Sequence, residues 1–144
     1  MATLKNVNSR ELYMGRLAHG ADLLEEITAV CTGNDIKLGR IEAIGAVKQA
    51  RLGYYDQKTR EYGFFTINEP LEITALIGNV SIKDGQPMVH AHITLADEQG
   101  KAYGGHLAPQ TIVFACEIIV EAFKGPAFRR EFDKETGLPL WDMQ

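Results

Sequence analysis

The sequence predicts an α+β fold, a mostly antiparallel sheet flanked by helices, formed by one domain over residues 1–144. Two observations support this prediction. Segments in which apolar and polar residues alternate follow one another along most of the chain, separated by short polar turns. This is the pattern of strands that pair with their neighbours in sequence. One early segment, 22–30, instead has the periodicity of a helix.

A strand and a helix come first. Alternation over residues 11–17 predicts the strand. Leu23, Ile27 and Val30 follow at i, i+4 and i+7, a spacing that gives a helix one apolar face. The pair Gly33-Asn34 then supplies a helix stop.

The rest of the chain predicts further strands and a C-terminal tail. The strands are predicted at Gly39–Val47, Gln49–Tyr55, Glu61–Ile67, 71–82, 88–95 and Thr111–Phe123. Residues 83–87 are a strong turn signal, so 71–82 and 88–95 are expected to pair as a long hairpin. The tail, residues 128–144, carries scattered aromatic side chains that we expect to cover the sheet or a subunit contact.

Three of the four histidines lie close together in the sequence. His90 and His92 are two residues apart, so in a strand they point to the same face, about 6.6 Å apart along the strand. Residues 96–101 are polar and contain turn formers, so the chain should reverse there and return a loop carrying His106 toward the pair. Three imidazoles with an open fourth position are typical of a catalytic zinc centre. We therefore predict that His90, His92 and His106 bind zinc or another divalent transition metal.

One alternative for these histidines stays open, and the cysteines are set aside. The imidazoles could instead form hydrogen bonds at a strand edge or an oligomer contact. Cys31 lies on the predicted helix and Cys116 within the apolar run 112–116, where a thiol acts as a small hydrophobe. We do not expect either thiol to bind the metal.

Composition excludes several classes of protein. No apolar run approaches the roughly 20 residues that cross a bilayer, so no membrane span is expected. The N-terminus lacks the long apolar core of a signal peptide, and two cysteines in dissimilar contexts do not form a disulfide framework. These features predict a reduced, cytoplasmic protein.

The charge pattern argues against nucleic acid as a partner. The net charge is −4, and the densest basic positions alternate with acidic ones: Lys124, Arg129, Arg130 and Lys134 among Glu131, Asp133 and Glu135. This pattern is typical of a solvated face, whereas nucleic-acid affinity needs a basic block that neutralises phosphates. DNA binding by this chain alone is not expected.

Three glutamates are candidates to assist chemistry at the metal. Glu117 interrupts an apolar run, so its burial would need a partner, for which a histidine or the metal is one choice. Glu117 is therefore the candidate catalytic residue. Glu121 and Glu72 fit a solvated strand face or an ion pair better.

Two arginines and the remaining histidine complete the set of candidates. Arg16 and Arg51 could clamp an anionic ligand, although in a strand an exposed or ion-paired arginine is the commoner case. His19 precedes the predicted helix and is left outside the site.

Six segments carry a resemblance to a known family. In order they are Ile44-Gly45-Ala46-Val47, Leu52-Gly53-Tyr54-Tyr55-Asp56, Glu69-Pro70-Leu71-Glu72-Ile73, Gly78-Asn79-Val80-Ser81, Pro87-Met88-Val89-His90-Ala91-His92 and Tyr103-Gly104-Gly105-His106-Leu107. With these segments the chain resembles the plants-and-prokaryotes conserved domain, called PPC or PCC, over nearly its whole length.

The resemblance implies more than the residues do alone. It implies an α+β fold around an antiparallel sheet, similar to acetolactate decarboxylase, and assembly as a homotrimer. In some prokaryotic members a metal, zinc where identified, is held by histidines that match His90, His92 and His106. In plants the domain follows an AT-hook that enters DNA, and this sequence contains no such segment. A DNA-binding role carried over without it would rest on fold analogy alone.

Two functions therefore remain open. The first is a metal-binding homotrimeric module with a regulatory or DNA-associated role, which the family resemblance favours. The second is a small decarboxylase- or lyase-like metalloenzyme acting on an oxygen-rich small molecule, which the open three-histidine centre favours. In the second, the ion would act as a Lewis acid on the substrate or lower the pKa of bound water.

Overall fold

One long strand organises the fold. The computed structural model describes residues 1–144, which form one helix and nine strands. In chain order these are β1 (Asn8–Leu17), α1 (Leu23–Gly33), β2 (Gly39–Asp56), β3 (Glu61–Ile67), β4 (Leu71–Lys83), β5 (Gln86–Ala96), β6 (Ala102–Leu107), β7 (Ile112–Lys124), β8 (Arg130–Phe132) and β9 (Pro139–Trp141). The predicted α+β class with a mostly antiparallel sheet is confirmed, with a single helix where flanking helices were expected.

The main sheet closes on itself through β2. Its order is β1-β7-β2-β4-β5-β6, with β3 also paired to β2, and every pairing is antiparallel. Near its end β2 pairs a second time, because Leu52 and Gly53 lie opposite Leu107 and His106 of β6. Strands β2, β4, β5 and β6 therefore form a closed hydrogen-bonded circuit, in which β6 is held on both sides.

The prediction of two strands, Gly39–Val47 and Gln49–Tyr55, was wrong in one respect. The chain continues through this point as the single strand β2, with the register against β7 shifting between Val47 and Gln49. The break in alternation marks a bulge, which bends a strand and lets it exchange neighbours without a turn. The first half of β2 pairs with β7 and β4, and the second half with β3 and β6.

Helix α1 covers the inner face of the sheet. The Asp22 side chain caps it by accepting hydrogen bonds from the amides of Leu24 and Glu25, and it ends at Gly33 as expected. Leu23, Ile27 and Cys31 are fully buried, and the helix lies against β5 and β1. No helix is both long and apolar enough to cross a membrane.

The β4–β5 hairpin is the predicted one and sets the register of the site. Asp84 and Gly85, both at positive φ, form a tight two-residue turn of the kind that matches strand twist. Along β5 the even-numbered side chains 90, 92 and 94 face outward, while those of 89, 91, 93 and 95 are buried. Ala91 lies opposite Gly78, where a Cβ atom would stand 2.7 Å from the His90 carbonyl oxygen. There is therefore no room for a side chain at Gly78, beside the backbone that carries the histidine pair.

The tail returns along the end of β4. The amide of Ile82 donates to the carbonyl of Phe128, and β8 and β9 then form a short antiparallel hairpin. Phe128 is buried and its ring packs edge-on against Trp141, so these aromatics cover the sheet as predicted. Phe132 differs, because its side chain is 69% exposed.

We expect Gly45→Ala to destabilise the protein by at least about 2 kcal/mol. Gly45 has φ 148°, and an added Cβ would lie 2.1 Å from the carbonyl oxygen of Ala115 on β7. Urea unfolding measures the loss. Gly63→Ala is the matched control, because nothing lies within 4 Å of its Cβ position; equal effects of the two changes would contradict the role given to Gly45.

Candidate metal centre

The three sequence-predicted histidines meet on the outer face of the sheet. His90 and His92 point outward from β5, and His92 is directly opposite His106 of β6. His106 was expected in a loop but lies in a strand, because the closed circuit extends the pairing of β6 with both β5 and β2. The turn at 97–100 does return it to the pair.

The imidazoles are close enough to share one ion. The ring centroids of His90 are 5.1 Å from those of both His92 and His106, and the latter two are 5.7 Å apart. One ligand nitrogen from each ring can be chosen so that all three lie within 4.8 Å of one another. The fourth histidine, His19, lies elsewhere, with Nδ1 2.7 Å from the carbonyl oxygen of Phe114.

The surroundings favour the neutral form of two of these imidazoles, His90 and His106. Burial lowers the pKa of His90 to about 4, helped by the positive charges of His106, Arg130 and His92. Burial, together with His92 and Arg130, also lowers the pKa of His106. Neutral imidazole is the form that binds metals, so the lowered pKa values suit a ligand set.

An unsatisfied nitrogen tests whether a metal fits. Nδ1 of His106 is buried and has no hydrogen-bond partner. Such an atom is costly when unpaired, and a metal ion would satisfy it. Three nitrogen donors without a thiolate suit zinc and other borderline divalent metals. The residues present therefore fit a metal held by His90, His92 and His106, with at least one position left for a ligand.

Arg130 belongs to this site, although the sequence suggested a solvated charge. Its side chain sits beside the cluster and is only 8% exposed. Nη2 donates to Oδ1 of Asn79 at 2.8 Å, and Asn79 is directly opposite His90 across the β4–β5 hairpin. Nη1 donates to the carbonyl of Pro139 at 3.1 Å, and the guanidinium lies over the Trp141 ring at 5.6 Å. The β8–β9 hairpin of the tail thus places the positive charge of Arg130 beside the metal centre.

Tyr62 of β3 also lies beside the histidines. Its ring is 5.0 Å from that of His106 and 5.1 Å from that of Tyr55. Burial raises the pKa of Tyr62, so it is present as the neutral phenol. The Tyr55 hydroxyl donates to the carbonyl of Thr136 at 2.6 Å, which ties the β2–β3 hairpin to the tail. Neither Tyr62 nor Arg130 carried a sequence signal, because both reach the site through long-range packing.

Glu117, the candidate catalytic residue, is not brought to the histidines. It is exposed on β7, opposite Arg16 of β1 and Ile44 of β2. The apolar run around it suggested burial, but this face of β7 is open and the carboxylate needs no buried partner. The structure thus places Glu117 on β7, which β2 and β4 separate from β5, and the geometry does not support its sequence-based assignment to the metal centre.

The other candidates also lie outside the cluster. Glu121 pairs with Arg40 at 2.8 Å, as an ion-paired strand residue would. Glu72 and Arg16 are exposed, and the Arg51 guanidinium lies 4.1 Å from the Phe64 ring centroid. Cys31 and Cys116 are buried and unpaired, and burial raises the pKa of each to about 11, so both are inert thiols.

Comparison with known proteins connects this geometry to a family. The profile of the Plants and Prokaryotes Conserved (PCC) domain matches residues 4–124. A bifunctional protein GlmU from Synechococcus sp. strain JA-2-3B'a(2-13) is 34% identical over 131 residues, which are 90% of this chain. The chain spans only about a fifth of the length of the curated relatives it matches.

Solved structures agree with the same fold over its full extent. A metal-containing protein from Archaeoglobus fulgidus is 42% identical, with a TM-score of 0.92 over 97% of this chain and 99% of that one. A plant- and prokaryote-conserved protein from Pyrococcus horikoshii is 35% identical, with a TM-score of 0.92 over 98% and 97% of the two chains. A candidate DNA-binding protein from Bacteroides thetaiotaomicron is 27% identical, with a TM-score of 0.85 over 95% and 97%.

A more remote likeness concerns the fold alone. Acetolactate decarboxylase from Bacillus subtilis shares 12% identity and a TM-score of 0.54, over 89% of this chain and 56% of that one. The expected similarity to that fold is therefore confirmed.

We expect His92→Ala to lower zinc affinity by more than about 100-fold, because a lost ligand costs more than a lost outer partner of a ligand. The fold should change in stability by less than about 1 kcal/mol, since the His92 side chain is exposed. Calorimetric zinc titration and thermal unfolding measure the two effects.

His19→Ala serves as the control for this change, because His19 lies outside the cluster. Unchanged zinc binding in His92→Ala would contradict the assignment. Unfolding of that variant would instead make the ion a structural one.

Proposed function

The chain belongs to the Plants and Prokaryotes Conserved (PCC) domain family, and we propose that it acts as a homotrimeric metal-binding protein with zinc at His90, His92 and His106. The observation that carries this proposal is the convergence of three imidazoles, one of which has a buried unpaired nitrogen. Burial also lowers the pKa of His90 and of His106. The relative from Archaeoglobus fulgidus, described as metal-containing, supports it. We further propose a cytoplasmic location, where the two unpaired thiols would remain reduced.

The ion is not required to hold the fold together. The histidines lie on a face opposite the core, which is a continuous cluster of buried side chains from β1 to β7 and α1. Structural zinc usually has four protein ligands, whereas three leave room for water or a ligand. The centre is therefore better suited to binding or chemistry than to bracing the sheet.

An exposed apolar face supports the homotrimer. Five large side chains between 56% and 80% exposed lie on the outer side of the sheet: Leu12, Met14, Ile44, Ile77 and Phe114. Some of them line a groove of about 780 Å³ that also holds Arg16 and Glu117. Large exposed apolar patches mark interfaces, and in a closed trimer such a patch would be covered by a different patch of the neighbouring copy.

DNA is a poor candidate partner for this chain by itself. The Bacteroides thetaiotaomicron relative is described as a candidate DNA-binding protein. This chain has a net charge of −4, and Arg130, which belongs to its densest group of basic residues, is buried at the metal centre. Phosphate contacts supply most non-specific DNA affinity, so a regulatory role would need DNA contacts from another protein.

A small metalloenzyme is the second candidate function. The observation that favours it is the placement of Tyr62 and Arg130 beside the histidines. A bound divalent ion would supply Lewis acidity for a substrate oxygen. Tyr62, held neutral, could donate a proton there, and Arg130 could orient a negative group.

Elemental analysis of protein purified without a histidine tag tests the metal and its identity. We expect about one ion per chain, mainly zinc, and almost none in His90→Ala, because removal of one ligand leaves an incomplete set. His19→Ala should keep the full amount. Metal absent from the native protein after incubation with zinc would contradict the proposed function, and a different metal would correct only its identity.

We expect Ile44→Lys to convert trimers into monomers. The Ile44 side chain is 56% exposed on the apolar face, and burial of an ammonium there would cost several kcal/mol even beside Glu117, because both charges would lose their hydration. Sedimentation velocity measures the change. Phe132→Lys, at a residue of the tail that is 69% exposed, should leave the trimer intact. A native protein that sediments as a monomer would refute the homotrimer.

A further inference from the structure

The charge of Arg130 has no counter-ion in the protein. Its guanidinium is buried and makes no ion pair, its two hydrogen bonds go to neutral oxygens of Asn79 and Pro139, and its Nε is buried without any partner. A buried charge is normally paired, because desolvation costs far more than neutral hydrogen bonds return. The Trp141 ring offers only partial compensation.

The nearby acidic residues do not supply the missing charge. Glu131, next in sequence, is exposed on β8 opposite Leu140. Asp133 accepts hydrogen bonds from the amide and hydroxyl of Thr136, which lower its pKa. No acidic side chain acts on His90, His106 or Arg130. The charged neighbours of His90 and His106 are other histidines and Arg130. The neighbour of Arg130 is the phenol of Tyr62. A divalent ion at the histidines would increase the excess of positive charge.

The arginine is also held rigidly at this place. Asn79 fixes one nitrogen from the β4 side, and Pro139 fixes the other from β9. The tail is anchored in turn, because Arg60 donates to the carbonyls of Lys134 and Glu135 at 3.0 and 2.9 Å. Trp141 Nε1 donates to the hydroxyl of Ser81 on β4 at 3.0 Å. A cation fixed in this way is preorganised for a ligand and loses little freedom on binding.

We propose that the metal centre and Arg130 together form a binding site for a small oxyanion, with one oxygen of the ligand at the open position of the metal and its negative group at Arg130. This proposal rests on the metal binding proposed above. The ligand class is a small carboxylate or phosphate, whose oxygens suit both the ion and a guanidinium. Tyr62 lies next to this site, with its ring 5.0 Å from that of His106.

Arg130 and the three histidines come from different parts of the chain. The family profile matches residues 4–124, whereas Arg130 lies on β8 in the tail. The profile therefore includes the histidines and leaves out Arg130, although the solved structure from Pyrococcus horikoshii is similar over 98% of this chain. The choice of ligand would then depend on the tail as well as on the metal.

Cobalt(II) substitution provides a test that does not depend on activity. The visible absorption of cobalt(II) changes when a ligand enters its coordination sphere, so anion binding can be titrated directly. The probes are lactate, inorganic phosphate and lactamide, the last a neutral analogue matched to lactate in shape. We expect lactate or phosphate to change the spectrum of the native protein at millimolar concentration, and lactamide to have at least about 10-fold lower affinity.

Variants of the arginine separate ligand binding from a structural role. Arg130→Gln should take up cobalt normally, keep its spectrum without anion and bind the oxyanion about 10- to 100-fold more weakly. Arg130→Lys, which keeps the charge, should fall between the two. Arg129→Gln is the matched control, since Arg129 is the exposed neighbour. Thermal unfolding of each variant identifies any loss of fold.

The outcomes are distinct. A response to lactate alone identifies a carboxylate ligand, and a response to phosphate alone identifies a phosphate ligand. No response to either anion in cobalt-loaded protein, or equal affinity in Arg130→Gln, overturns this inference and leaves the metal site standing. Failure of the native protein to take up cobalt overturns the proposed function itself, and this inference with it.

Discussion

The structure depends on the double pairing of β2. Its first half pairs with β4, and Leu52 and Gly53 near its end pair with β6, so the hairpin β4–β5 and the strand after it have to wrap into a closed circuit. The bend is possible because the bulges of β2 change its neighbours without a turn, and Gly45 lets β7 approach at the same point. The pairing of Gly53 with His106 is one contact of this closure. The last histidine therefore reaches the other two through the topology of the sheet, with no help from a flexible loop.

Charge separates this site from an ordinary histidine cluster. Carboxylates are frequent on the surface of the protein, yet none takes part around His90, His106 and Arg130. Neutral imidazoles and a buried guanidinium make a receptor that lacks negative charge, although the whole chain carries an excess of it. An ion and its ligand would complete the electrostatics of the site, because together they supply both the cation that satisfies the imidazoles and the anion that the arginine lacks.

Local pattern predicted the strands and the histidine pair, and it failed where non-local packing decides. Alternation identified β4 and β5, and the polar turn after β5 placed His106 beside His92. Alternation predicted two strands in place of β2, because a bulge and a turn both interrupt alternation in the sequence. Arg130 was interpreted as solvated because acidic residues follow it, but its burial comes from Asn79, about fifty positions earlier in the chain, and from the fold of the tail.

Glu117 illustrates the opposite error. An apolar run around a carboxylate indicates burial only when both faces of the strand are covered, and β7 leaves one face open in the isolated chain. The exposed Ile44 and Ile77 on the neighbouring strands belong to the same open face. A single sequence does not distinguish a strand buried inside one chain from one that a second copy would cover, so Glu117 was expected to be buried although it is exposed in this chain.

The close approach at Gly78 has a consequence for how the ligands are ordered. With no side chain there, the backbones of β4 and β5 lie together beneath His90 and His92, and the pairing continues without a break from Leu76 to Lys83. The entropy lost in fixing the histidine-bearing backbone is therefore part of the folding of the sheet. An incoming ion needs to order only side-chain rotamers, so its affinity should reflect the chemistry of the imidazoles themselves. Release of the ion would then leave an intact receptor ready to be filled again.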